Sequence, residues 1–330
     1  MIRPPSAPRI AALVAATLSA VAGTMLVVLY LWPSLQEYRG GLVLLAAFIP
    51  YGVIAWAIAT LGFAVGGRRR LVRALALPCL ASLLLQVSWT APYWPHAAPT
   101  ASGDPMRILS LNVNFGKADP SGLTAVLAAE RPDVVVLLEI QVPLVESLAK
   151  TGALDAFPYR VGNAPAGYVA NGFESDEGTY VLSRTPLAQL ERLPTPNGQY
   201  VLRVQRPGGY VTLIAARPRN VLLGMAGWVD DYATLTEAAG RYRTDRLVVA
   251  GDLNATRELE PFRRLLGVGL TDAAAQSGAG WLPTYPADAI APLIAIDHVL
   301  CNPRVTARTL RAFRVGGTDH LGLVADLVAQ

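Results

Sequence analysis

The chain has 330 residues, 52% hydrophobic and 16% charged, with a formal net charge of +4. That length accommodates one large domain plus a further element, and the charge divides sharply between them. Seven basic residues face one acid up to Arg73, whereas 21 basic face 23 acidic residues from Asp104 onward, so the second part lacks the bulk positive charge that tracks duplex phosphates. This argues against long nucleic acid as a partner.

No charged residue lies between Arg9 and Glu37, between Arg39 and Arg68, or between Arg73 and Asp104. Each gap exceeds the roughly 20 apolar residues that cross a bilayer, so three transmembrane helices are expected over residues 11–32, 41–65 and 74–94. Pro50 and Gly52 in the second are tolerated better in a membrane than in a soluble helix. A cleaved signal peptide is the alternative for the first segment, given Arg3, Arg9 and the small residues Ala20 to Ala22, but the apolar run continues past any such cut. Arg3 and Arg9 before the first segment, and Arg68, Arg69, Arg70 and Arg73 before the third, place the N-terminus and the second loop in the cytoplasm. The chain beyond the third helix is then extracellular, with Tyr93 and Trp94 at the outer interface. The expected organisation is a membrane anchor over 1–94, a proline-rich linker over 95–105 and a water-exposed domain over 106–330. Cys79 falls in the third helix and Cys301 in a late strand, so no disulfide is expected.

Within the domain, residues 106–113 alternate as a strand ending at Asn112. Asp119 and Pro120 open a helix that runs to Glu130. Residues 134–138 form an uninterrupted apolar strand terminated by Glu139, a costly place for a carboxylate unless it is paired with an arginine or binds a cation. Strands are expected over 178–183, 200–205 and 210–216, the last two joined by the turn at Pro207 to Gly209. A helix over 225–242 leads to the apolar strand 247–250 and then to Gly251, Asp252, Leu253 and Asn254. A carboxylate and a carboxamide two residues apart at a sheet rim can hold a water or a metal and meet developing negative charge. The plainer reading is a turn that caps the following helix. A short helix over 258–266, a strand over 296–301 bearing Asp297, a strand over 306–315 and a last strand after Asp319 and His320 complete the pattern. The expected fold class is α/β, with two packed sheets covered by helices.

Polar groups therefore stand at strand ends in five places: Asn112, Glu139, Asp252 with Asn254, Asp297, and Asp319 with His320. Oxygen ligands in this number, without cysteines or a histidine pair, favour Mg2+ or Mn2+ over zinc. A histidine beside carboxylates suits acid, base or charge stabilisation around a phosphate. His298, next to Asp297, points to the opposite face by strand alternation and is expected to be structural.

The stretches 108–114, 132–139, 178–184, 248–254, 296–300 and 318–320 resemble, in order, those of the endonuclease/exonuclease/phosphatase superfamily. That resemblance implies a deoxyribonuclease I-like four-layer sandwich and a metal-dependent phosphoryl transfer to water. It implies that Glu139, Asn112 and Asp319 bind the metal, Asp252 positions the water, Asn254 contacts phosphoryl oxygens, and His320, oriented by Asp297, stabilises the transition state. One position departs from the family pattern, because Arg217 stands where many members carry a histidine. Arginine keeps its proton, so Arg217 is read either as a clamp on a phosphate or as the ion-pair partner of Glu177. With three helices and an exterior domain, the chain looks similar to a membrane-anchored actinobacterial branch that includes a protein associated with glycopeptide resistance. The implied substrate is a lipid-linked phosphate or pyrophosphate such as undecaprenyl pyrophosphate. A phosphodiesterase acting on nucleic acid or phospholipid head groups, and a binder without turnover, are the rival readings.

Overall fold

The computed structural model describes residues 7–38, 40–67, 70–165 and 178–330. The chain separates into two compact units, one of Met1–Pro92 with Glu258–Glu260, the other of Tyr93–Arg257 with Pro261–Gln330.

The first unit contains α1 (Ala7–Leu31), α2 (Gly40–Ala46), α3 (Gly52–Gly66), α4 (Arg70–Ala74) and α5 (Ala76–Trp89). Three stretches, Ala7–Leu31, Ile49–Gly66 and Arg70–Trp89, are long and apolar enough to cross a membrane. Their boundaries correct the expected ones. The second apolar stretch is not one helix, because α2 stops at Ala46 and a 3-10 turn at Ile49–Tyr51, with Pro50 in its first turn, precedes α3. The third ends at Trp89, so Tyr93 and Trp94 lie beyond it. The interior is small: Ala16, Trp56, Ala59, Phe63 and Cys79 pack together. Gly23 lies under the Trp56 indole, and Gly62 against Ala16, the close approach that small residues permit between membrane helices. Leu18, Val21, Ile54, Leu61, Leu77 and Leu84 point outward, as suits a surface whose solvent is lipid.

The second unit carries β1 (Asp104–Asn112), α6 (Pro120–Glu130), β2 (Val134–Ile140), α7 (Val142–Lys150), β3 (Tyr159–Gly162), β4 (Gly178–Ser183), β5 (Leu187–Arg192), β6 (Tyr200–Arg206), β7 (Gly209–Ala215), α8 (Met225–Arg241), β8 (Leu247–Asp252), α9 (Glu260–Leu266), β9 (Thr271–Asp272), α10 (Ala273–Ser277), β10 (Asp297–Cys301), β11 (Val305–Phe313) and β12 (Gly322–Ala329). Two six-stranded sheets result, ordered β11-β12-β1-β2-β4-β3 and β5-β6-β7-β8-β10-β9. Sequence patterning missed α7, β3, β5, β9 and α10, which are short or amphipathic.

Strand alternation makes the four layers. Ile108, Val134, Val136 and Leu138 face the second sheet and meet Val204, Leu213, Val248, Ala250 and Val299. Leu109, Leu111, Val135 and Leu137 point the other way, onto Leu123 and Leu127 of α6 and Leu144 and Leu148 of α7. β2 and β8 are buried on both faces, which is why each reads as a continuous apolar run rather than an alternating one. Burying a side chain of this size stabilises by about 1.5–3 kcal/mol before conformational entropy is subtracted. α6 begins where expected, with the Asp119 carboxylate accepting from the Ser121 and Gly122 amides and Pro120 in the first turn.

The topology sets the site. β1 and β2 are parallel, as are β7 and β8, while β10 runs antiparallel to β8. The carboxyl ends of four strands and the start of β10 therefore meet at one rim.

Candidate active site

The rim is built on strained backbone. Glu139, Asn254, Asn114 and Phe115 all have φ between +47° and +56°, a left-handed conformation that non-glycine residues seldom adopt. Glu139 sits at a register shift between Leu138 and Ile140 in the β2–β4 ladder, so the strand runs through it instead of stopping there, as the sequence suggested. The bulge leaves Glu139 buried and turned toward the site. Gly251 has φ +153°, and a Cβ there would lie 1.9 Å from the Ala216 carbonyl oxygen. The glycine lets β8 pass the end of β7 closely enough to present Asp252 beside Arg217.

Asp252 is the centre. Across the β8–β10 ladder it is directly paired with Asp297, whose Oδ2 lies 2.8 Å from His320 Nδ1. On its other side, Asn112 donates from Nδ2 to Asp252 Oδ2 at 3.0 Å and to Glu139 Oε1 at 2.8 Å. Asn112 Oδ1 accepts the Asn114 amide at 2.9 Å, which fixes the amide the right way round. Arg217 donates to Glu139 Oε1 and lies 3.8 Å from Asp252 Oδ2. Glu139 Oε2 accepts the Phe115 amide at 3.1 Å. Asn254 donates its backbone N–H to Asp252 Oδ1 at 3.0 Å and its side-chain amide to Pro218 O at 3.0 Å and Asp252 Oδ2 at 3.3 Å. Both side-chain hydrogens of Asn254 are thus engaged within the chain.

Seven of the eight residues singled out in sequence join this network by side-chain contact. Asp319 is the exception: it is half-buried, and its backbone oxygen accepts the Ala287 amide at 2.6 Å. Its charge still acts on His320 and on Tyr285. Of the two readings of Arg217, the expected partner Glu177 lies outside the described residues, and the carboxylate in contact is Glu139. Sequence reasoning missed Thr318 and Tyr285. Thr318 Oγ1 donates to Asn112 O at 2.7 Å and accepts the His320 amide at 3.2 Å, joining the two halves of the site. The Tyr285 ring is 5.0 Å from that of His320. Tyr285 carries no local signal, since it matters only through a partner distant in sequence, whereas Thr318 lies in the 318–320 stretch, where only its bond to Asn112 is long-range.

The titration behaviour follows from burial and charge. Burial pushes the Asp252 carboxyl up, and Asp297 adds to this against the opposing effects of His320, Arg217 and the Asn254 amide, leaving it at about 6. For His320, burial favours the neutral ring, but Asp297, Asp252 and Asp319 outweigh it and raise the pKa to about 10. An acceptor able to take a proton near neutrality thus lies next to an imidazolium, the pairing that general acid–base chemistry requires.

Asp252, Asp297 and His320 each offer a ligand atom, all within 4.8 Å of one another. Asp297 Oδ1 is buried and accepts no hydrogen bond among the described residues. Oxygen donors with an unfilled acceptor fit a hard divalent cation. Of the expected ligands Glu139, Asn112 and Asp319, neither carboxylate belongs to this cluster, while Asn112 reaches it through its hydrogen bond to Asp252. His298 lies apart, with Nδ1 2.7 Å from Asp272 Oδ2 and Nε2 3.0 Å from the Ala255 carbonyl, packed on Phe262.

Residues 109–320 match the profile of the Endonuclease/Exonuclease/phosphatase family. Among solved structures, the endonuclease/exonuclease/phosphatase from Beutenbergia cavernae DSM 12333 is 23% identical, with a TM-score of 0.53, over 68% of this chain and 72% of that one. An AP endonuclease from Archaeoglobus fulgidus is 13% identical, with a TM-score of 0.53, over 67% and 98%. D. rerio TDP2 complexed with single strand DNA product is 18% identical, with a TM-score of 0.51, over 68% and 98%. At these identities the likeness is one of fold. No curated protein matches the chain.

Proposed function

The chain belongs to the endonuclease/exonuclease/phosphatase family, whose members are hydrolases of phosphoester bonds, generally dependent on a divalent metal, and from that premise we propose a membrane-anchored phosphohydrolase whose substrate is a lipid-linked phosphate or pyrophosphate. The observation that carries the reading is the position of Asp252 between two cationic groups, Arg217 and the His320 imidazolium, in a chain with three helices apolar enough to span a bilayer.

In this reading Asp252 accepts a proton from the attacking water while Asn254 and Asn112 hold its two oxygens in place. His320, held by Asp297 at Nδ1, presents Nε2 toward the phosphoryl group and supplies positive charge or a proton as the leaving oxygen departs. Arg217 offers a permanent cation to a second phosphate. A leaving phosphate needs little protonation, so an arginine in place of a second acid suits a pyrophosphate. Asp252 and Asp297 would hold a divalent cation through carboxylate oxygens, with Glu139 and Asp319 adding charge nearby. When bound, Mg2+ or Mn2+ supplies charge neutralisation of the phosphoryl oxygens. The positive-inside pattern supports an extracellular domain facing substrate presented at the outer leaflet of the cell membrane, which fits cell-wall metabolism and glycopeptide resistance.

The test is phosphate release from undecaprenyl pyrophosphate by the full-length protein in detergent with Mg2+, beside Asp252→Asn. Release confined to the wild type supports the reading. If wild-type protein shown to be folded releases no phosphate, while cleaving a phosphodiester, the phosphodiesterase alternative takes its place.

A further inference from the structure

We propose that the lip of this site is itself a membrane-contacting surface, formed by two apolar prongs that dip into the bilayer anchoring the chain and bring the phosphate site down to lipid head groups. The inference rests on the reading of the chain as a membrane-anchored phosphohydrolase and deepens it.

The first prong follows β7. Four positions after Arg217, the short turn Val221–Leu223 begins and displays Leu222 at 67% and Leu223 at 56% exposure. The turn is held firmly: Asn220 accepts the Leu222 amide at 2.9 Å, and Arg219 binds Asp231 through its backbone amide at 2.8 Å and its guanidinium at 2.8 and 3.1 Å. The second prong precedes β10. Tyr285 and Ile294 bridge the base of a hairpin whose tip carries a fully exposed Ile290. That hairpin is pinned to the site, because Ala287 donates to the backbone oxygen of Asp319 and Tyr285 packs on His320. β7 and β8 are parallel and β10 is antiparallel to β8, its neighbour. The exit of β7 and the entry to β10 therefore lie at the same edge, on either side of Asp252.

Rigid turns that hold aliphatic tips in water indicate a contact surface rather than a folding defect. The occupant follows from the chain itself. The last candidate span ends at Trp89, and after three further residues Tyr93 stacks edge-on against Trp281, at 4.6 Å, nine positions before Ile290. Tyr93, this close in sequence to a span end, has the composition of a membrane interface, and exposed apolar tips on the same unit act as interfacial anchors. The tether keeps the prongs at high effective concentration near lipid.

The test uses full-length protein in phosphatidylglycerol/phosphatidylethanolamine vesicles with an environment-sensitive fluorophore at Leu222→Cys or Ile290→Cys. Tyr210→Cys, at the far end of β7, is the control. Cys79 and Cys301 are buried, so the introduced thiol takes the label. Blue-shifted emission and loss of intensity with nitroxide-bearing lipid at positions 222 and 290, but not 210, are expected. No quenching at 222 and 290, or equal quenching at all three, overturns the inference. The readout needs no turnover: quenching retained in a protein that releases no phosphate sinks the functional reading alone, and release without quenching sinks this one alone.

Discussion

The Arg217 guanidinium is buried against the Glu139 carboxylate, two residues that lie at the ends of different sheets. Each neutralises the other where neither could sit alone. The same contact means that Arg217 and a divalent metal compete for Glu139, one of the two carboxylates that the family resemblance assigns to metal binding.

Removing the arginine therefore leaves an unpaired buried charge. Arg217→Ala is expected to lose about 3–5 kcal/mol of stability in chelator, with part of the loss restored by millimolar Mg2+ as the cation takes the guanidinium's place. Thermal unfolding in detergent, with and without metal, measures this. A variant as stable as wild type in chelator refutes the pairing as a structural element.

Asp252→Asn retains shape and hydrogen-bonding capacity but cannot accept a proton. Turnover should fall roughly 100- to 10,000-fold with little change in melting temperature. An equal loss of stability would mean that Asp252 serves chiefly to hold the rim together.

The pH profile of kcat/KM should rise through about 6, as Asp252 loses its proton, and fall through about 10, as His320 loses its own. A bound cation moves the acid limb down by favouring the carboxylate. Because the two groups interact, the limbs belong to the pair. His320→Asn should abolish the alkaline limb, and a profile unchanged by that substitution would remove His320 from the proton inventory.

The His298–Asp272 pair gives a stability prediction outside the reacting centre. Burial alone would lower the His298 pKa, but Asp272 and the Ala255 carbonyl raise it above 6.5. Burial raises Asp272, yet His298 and the Ala274 amide bring it below 3.8. The histidine's contribution is complete below pH 6.5 and is lost as pH rises through its folded value. That of the aspartate is complete above pH 3.8 and is lost as pH falls through its own. Stability from the pair should peak between those limits, and melting temperature against pH for wild type and His298→Gln should differ most there.

Gly251→Ala would place a methyl group against the Ala216 carbonyl oxygen. Separating β7 from β8 to make room moves Arg217 away from Asp252, so a loss of at least about 2 kcal/mol should accompany lost turnover. Chemical denaturation with an activity assay tests both.

Much of this protein was determined by sequence acting locally. Three charge-free gaps imply membrane-crossing helices because a bilayer core demands a fixed run of apolar residues. The buried strands before Glu139 and Asp252 are legible because a strand covered on both faces has no room for polar side chains. Most residues of the site could be named because each is a polar group at the end or the start of a strand, while Arg217 was marked only by its departure from the family pattern. What they do to one another was decided only by the tertiary structure. Asp297 faces Asp252 because β10 pairs antiparallel with β8 in that one register, and a slip by one residue would bring His298 there instead. Arg217 finds Glu139, Asp319 stays outside the oxygen cluster, and Thr318 and Tyr285 become part of the site through contacts between segments far apart in the chain. The energy of such contacts depends on distances between side chains, and those exist only once both sheets have closed.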